Sequence, residues 1–154
     1  MKKLIAILSV AALLFSATSF AADKYGKAII SNQKVLNSFN QEFAGAAKVT
    51  WYANEDEKSY VAKFDIKESR VTAHFDDEGN LLATSRVISD SDLPLPVISR
   101  LMHRYPNENI RNVVEYTANG SLTYMITLEN DTQWKIIKAG ADGGLSTVRK
   151  LRKA

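Results

Sequence analysis

Residues 75–87 read FDDEGNLLATSRV, and residues 140–150 read GADGGLSTVRK. Each sets an Asp within two positions of a Gly, continues with Leu, and runs through Ser or Thr to a cation. An acidic, glycine-containing turn that opens into an alternating segment is the mark of a hairpin, because Gly and Asn/Asp tolerate the positive φ of tight connections. Upstream of each phrase lies one stripe of helical spacing: Val35, Leu36, Phe39 and Phe43 in KVLNSFNQEF, then Val97, Ile98, Leu101 and Tyr105 in PVISRLMHRY. Pro94 and Pro96 fall at the start of the second helix and Pro106 stops it. Val35 and Val97 stand 62 residues apart, and Gly79 and Gly143 stand 64 apart.

After each helix the apolar period shortens to two, which predicts strands with one buried face. Val49 and Trp51 come first, then Tyr60, Ala62, Phe64 and Ile66, then Val71, Ala73 and Phe75, then a strand over Leu82 to Ile88. In the second half the candidates are Val114 and Tyr116 or Val113 and Glu115, then Leu122, Tyr124, Ile126 and Leu128, then Trp134 and Ile136, then a strand from Leu145 to Leu151. Asn119-Gly120, Glu129-Asn130-Asp131 and Asp142-Gly143-Gly144 supply the turns. The expected fold is α+β: a tandem repeat, over about residues 32–90 and 93–152, of a helix plus a four-stranded antiparallel meander. The halves would join into an antiparallel sheet of about eight strands with both helices on one face. The opposite face, open to solvent, would carry Val61, Lys63, Asp65, Arg70, Thr72 and His74, then Thr123, Met125, Thr127, Lys135 and Ile137.

The first residues, MKKLIAILSVAALLFSATSFAADK, place Lys2 and Lys3 before an apolar run from Leu4 to Phe15 and close on Ser19-Phe20-Ala21. That is the plan of an export signal over residues 1–21, cleaved near Ala21/Ala22, with an apolar run shorter than the roughly 20 residues a membrane span needs. The expected destination is the periplasm or the exterior, for a domain over residues 22–154 of a size that buries about two-thirds of its unfolded surface. The chain has no cysteine, so packing rather than disulfides must hold it, and a lipid-modified N-terminal cysteine is excluded. The 20 Lys and Arg face 17 Asp and Glu, and two of those lysines belong to the leader. Without the leader the chain is close to neutral, unlike a nucleic-acid-binding surface. Arg149, Lys150, Arg152 and Lys153 form a local basic cluster that reads as a solvated strand end.

Residues for catalysis are sparse. His74 and His103 are the two histidines and share no metal-ligand spacing. No Cys and no Gly-x-Ser-x-Gly elbow offers a nucleophile, so a non-enzymatic role is expected, with no cofactor. Asp76, Asp77, Glu78 and Asn80 around Gly79 lack the twelve-residue spacing of a calcium loop and read as a plain turn. Glu55-Asp56-Glu57 reads as a solvated hairpin loop. Trp51 and Trp134 suit core packing or, on an open face, anchorage of a partner.

The series Phe39/Phe43 with Ala46 or Ala47, Val49-x-Trp51, Tyr60-x-Ala62-x-Phe64, Ala73-x-Phe75-Asp76 with Gly79, and Leu93-Pro94 before a helix ending Tyr105-Pro106 resembles the PepSY-like family of exported Bacteroidetes proteins. That family is similar in fold to the β-lactamase inhibitor protein. The resemblance covers nearly all of residues 22–154 and implies an envelope location and protein binding or inhibition, with no catalytic motif to transfer. Together with the expected sheet it suggests a module that binds a protein or peptide of the cell envelope through its open face, at Lys63, Arg70, His74, Met125 and Lys135. The alternative is an envelope carrier or sensor of a small ligand or cation.

Overall fold

The computed structural model describes residues 26–54 and 56–154; the expected leader over residues 1–21 lies outside them. The elements are β1 (Gly26–Lys27), α1 (Gln33–Glu42), β2 (Ala47–Asn54), β3 (Ser59–Ile66), β4 (Ser69–Asp76) and β5 (Leu81–Ile88). A 3-10 turn (Asp90–Asp92) then leads to α2 (Leu95–Arg104), β6 (Asn109–Ala118), β7 (Ser121–Glu129), β8 (Gln133–Gly140) and β9 (Leu145–Arg152). The strands lie in one nine-stranded sheet in chain order, β1 to β9, with antiparallel neighbours.

This corrects the expected fold class. Among the described residues the chain is mostly β, with two α-helices of 10 residues each, and is not a helix-plus-meander block written twice. The ninth strand is β1, which precedes the first helix and pairs Gly26 with Ala53 and Lys27 with Tyr52. The echo between the two quoted phrases has a local cause instead. A Cβ at Gly79 would lie 2.7 Å from the Lys34 carbonyl oxygen, and one at Gly143 would lie 2.9 Å from that of Pro96. Both turns tuck a glycine of positive φ, +85° and +89°, beneath the first turn of a helix, a demand that selects similar residues whatever the history of the chain.

The chain contains two compact units. One runs through Phe64 and resumes over Ala73–Leu82; the other takes Asp65–Thr72 and Ala83–Ala154. The first is built on aromatic contacts. Phe39 of α1 meets Trp51 and Phe64 with ring centroids 5.0 Å away in each case, and Phe43 meets Phe64 at 4.8 Å. Burying Phe64 and Phe75 completely contributes about 1.5–3 kcal/mol for each ring. Helix α1 starts at Asn32, whose Oδ1 accepts from the backbone N–H of Lys34 and Val35 while its Nδ2 donates to the Asp77 carbonyl at 2.8 Å. One side chain thereby caps the helix and pins the β4–β5 turn beside it.

The second unit packs α2 on an aliphatic layer. Val97 and Leu101 of the helix, with Leu93, cover Val113, Tyr124, Ile126, Leu128, Ile137 and Ala139. No side chain caps α2, which begins on Pro94 with Pro96 in its first turn; there the missing N–H costs little. The helix ends at Tyr105, whose hydroxyl lies 3.1 Å from that of Thr147 on β9. Both helices begin one residue earlier than their sequence stripes suggest.

Candidate functional site

With α2 on one side of the second unit's sheet, the other side is set by strand register. The β6–β7 hairpin turns on Asn119 and Gly120, with φ of 51° and 72°, the pair of positive values that a two-residue hairpin requires. It aligns Tyr116 with Thr123, Val114 with Met125 and Asn112 with Thr127. At the next turn the Asn130 side chain accepts from the backbone N–H of Thr132 at 3.0 Å and of Gln133 at 2.9 Å. That connection aligns Leu128 with Lys135, Thr127 with Ile136 and Met125 with Lys138. Along β7 the burial alternates: Tyr124, Ile126 and Leu128 are buried beneath α2, while Thr123, Met125, Thr127 and Glu129 are half-buried on the opposite face.

The face away from α2 therefore carries a strip of apolar side chains across successive strands. Val87 of β5 stands opposite Val114 of β6, which stands opposite Met125 of β7. Ile136 of β8 lies in the next row, opposite Thr127. With strands about 4.8 Å apart, a strip from β5 to β8 is about 14 Å wide. Val87 is 57% exposed. An aromatic ring lies toward each end. Tyr116 has its hydroxyl pushed above the ordinary range by burial. Trp134 carries the Lys153 ammonium 4.9 Å over its ring. Lys153 also reaches Glu129 at 2.6 Å, and the exposed Lys138 and Arg149 stand opposite Met125 and Ile136. The strip is thus apolar at its centre and mainly cationic at its rim.

Of the five residues expected to bind a partner, this strip contains Met125. Lys135 lies on the other face: the side chain is 14% exposed, ion-paired with Glu108 and set 5.3 Å from the Tyr105 ring centroid. Ile137, also expected on the open face, is fully buried beneath α2, while Trp134 and Ile136, expected in the core, take its place outside. Strand β8 is therefore turned by one position relative to expectation, because the Asn130 turn fixes Leu128 against Lys135. On β3 and β4, Lys63 is exposed with its ammonium 5.0 Å from the Tyr52 ring centroid, and Arg70 pairs with Asp65 at 3.2 Å. His74 is 8% exposed, not open to a partner. Burial, reinforced by the Lys63 charge, pushes its imidazole down to about 4, so it is neutral at pH 7.

The sequence leaves Trp134 between core packing and partner anchorage, and Tyr116 shares that ambiguity, while Val87, Val114 and Ile136 are not anticipated as site residues. A signal for two of these five is present: a two-residue hairpin on Asn119-Gly120 forces Tyr116 against Thr123 and Val114 against Met125. Acidic clusters serve structure. The Asp76 carboxylate accepts from the backbone N–H of Glu78 and Asn80 and from the Asn80 amide, at 3.0, 2.8 and 2.8 Å. Asp142 holds the Gly144 N–H at 3.1 Å. Beside α2, Ser99, Arg100, His103, Arg104 and Leu145 line a shallow groove of about 470 Å³, in which Arg104 donates to the Leu145 carbonyl.

No protein-family profile and no curated protein matches the sequence. Solved structures do match the fold. A BLIP-like protein from Bacteroides fragilis superposes with a TM-score of 0.67 at 19% identity, over 81% of this chain and 88% of its own. A DUF2874 family protein from Bacteroides ovatus gives 0.67 at 17% identity, over 82% and 89%. A Bacteroides eggerthii protein proposed to be periplasmic gives 0.65 at 14%, over 78% and 87%. The chain therefore has a BLIP-like fold. Among the described residues no helix is long and apolar enough to cross a membrane.

Proposed function

We propose that this chain is an exported, non-enzymatic, PepSY-like module that binds a protein or peptide in the cell envelope through the strip of Val87, Val114, Met125 and Ile136, with Tyr116 and Trp134 as aromatic anchors. The observation that carries the reading is the continuity of that strip. Four apolar side chains on four successive strands face away from the helix, and contiguous apolar surface of this kind marks interaction sites. The leader in the sequence supports export, and the BLIP-like fold is compatible with binding without establishing it. The partner that fits has an apolar centre and acidic flanks, to match Lys138 and Arg149.

The test is site-specific crosslinking in envelope extract, with a photoreactive amino acid at position 125 or, as a control, at the exposed position 102 of α2. A discrete adduct from position 125 that is absent from position 102, and that Ile136→Asp abolishes, is the expected result. Equal labelling from both positions, or none from 125, would sink the proposal.

A further inference from the structure

Strand β9 closes the order of the sheet, so among the described residues one of its edges is paired with β8 and the other is unpaired. From Arg149 to Arg152 it pairs regularly with Ile136 to Gln133, after an irregularity that leaves Val148 without a counterpart. Its backbone polarity is set by the ends of the hairpin. The Lys153 N–H donates to the Thr132 carbonyl and the Gly140 N–H to the Gly144 carbonyl. In an antiparallel ladder the residues that exchange such bonds alternate with residues whose N–H and C=O point the other way. Arg149 and Leu151 share the parity of Lys153 and turn inward to β8; Lys150 and Arg152 turn their backbone groups outward.

Side-chain charge at this edge has no compensation within the hairpin. Lys150 stands opposite Lys135, Arg152 opposite Gln133 and Arg149 opposite Ile136, and the Glu108 carboxylate is engaged with Lys135. All three cations are exposed. Two copies joined edge to edge would bring these cations together, which disfavours self-pairing as charged edges generally do. An incoming strand with carboxylates beside Lys150 and Arg152 would meet both the outward backbone groups and unneutralised charge. Between those positions Leu151, 38% exposed, lies on the other face, opposite Trp134, and asks for an apolar neighbour.

We infer that the Arg149–Arg152 edge of β9 is a docking site for an extended acidic segment of another protein, added to the sheet as a further strand with an acidic–apolar–acidic pattern. Main-chain hydrogen bonds supply affinity and the alternating side chains supply selectivity, as in strand addition generally. The edge borders the open-face strip and shares Arg149 with its rim, but its outward backbone groups at Lys150 and Arg152 are separate from the strip, so substitutions at Lys150 and at Met125 test the two proposals apart.

The probe is a blocked peptide of alternating Glu and Val, compared with its Lys counterpart by fluorescence anisotropy at low and high salt. The Glu peptide should bind, at least tenfold more tightly than the Lys peptide, and weaken as salt rises. Lys150→Pro removes an outward N–H without touching the ladder to β8, and should weaken binding at least tenfold with the melting temperature nearly unchanged. Lys150→Gln keeps the N–H and should weaken it about threefold, and Met125→Asp should leave it unchanged. On binding, amide exchange should slow at Lys150 and Arg152. Equal binding of the two peptides, no binding at millimolar Glu peptide, native affinity in Lys150→Pro, or a dimer of this chain that Lys150→Pro disrupts would each overturn the inference.

Discussion

His74 shows how one residue links packing to pH. Its folded pKa of about 4 lies below the usual 6.5, so below pH 6.5 the unfolded chain binds the proton more readily than the folded one. Stability from this group is therefore complete above pH 6.5, falls as pH drops toward 4, and is level below that. Across the whole window the loss is about 3 kcal/mol, since one unit corresponds to about 1.4 kcal/mol. His74→Leu should flatten the dependence of the melting temperature on pH between 6.5 and 4; a variant that keeps the full native slope would assign the effect to other groups. Gly79 and Gly143 make a second residue-scale case. Gly79→Ala and Gly143→Ala each combine positive φ with a Cβ inside 3.0 Å of a helix carbonyl and should destabilise by about 2–3 kcal/mol in urea unfolding. Gly120→Ala, whose Cβ would meet nothing within 4 Å, should cost about 1 kcal/mol for its φ alone. Equal losses at all three would remove the crowding argument.

At the scale of the element, β8 separates what the sequence reveals from what it hides. Strand β7 buries Tyr124, Ile126 and Leu128 as alternation predicts, and β3 and β4 bury Ala62, Phe64, Ala73 and Phe75 as expected, but Val61 and His74, of the opposite parity and expected to be open to solvent, are buried as well. The helices are legible because Val35/Phe39 and Val97/Leu101 mark single faces. In QWKIIKAG, by contrast, Trp134 with Ile136 and Ile137 with Ala139 offer apolar pairs of both parities, so composition cannot choose a face and the Asn130 turn decides. Of the proposed site, Met125 was legible for the same reason β7 was, whereas Trp134 and Ile136 were hidden behind this ambiguity. Lys48, Lys58 and Lys67 adopt positive φ with nothing in the residue type to announce it. Adjacent substitutions test the register: Ile137→Asp, placing a carboxylate in the core, should cost about 4 kcal/mol or unfold the protein, while Ile136→Asp should cost about 1 kcal/mol or less. Reversed costs, measured by thermal melts of both variants, would return β8 to the opposite face.

At the scale of the whole molecule, the order of strands in the sheet equals their order in the chain. Most strands find their neighbour across a short hairpin, as Ala118 finds Ser121 and Gly140 finds Gly144, while the β1–β2 and β5–β6 connections each carry one α-helix, and α1 and α2 settle on strands that come soon after them. Loop-closure entropy grows with the separation of the partners, so this topology asks less of the searching chain than a Greek key, where strands distant in sequence must pair first. With no cysteine to lock intermediates, such local assembly is also the safeguard against exposed strand edges while the sheet is incomplete. The main refolding phase of a chain beginning at Ala22 should therefore have a half-time of milliseconds to tens of milliseconds in stopped-flow fluorescence at 25 °C, rather than the seconds seen for all-β domains of high contact order. A main phase of several seconds would mean that pairing is not propagated along the meander, and that a long-range contact, rather than the hairpins, limits folding.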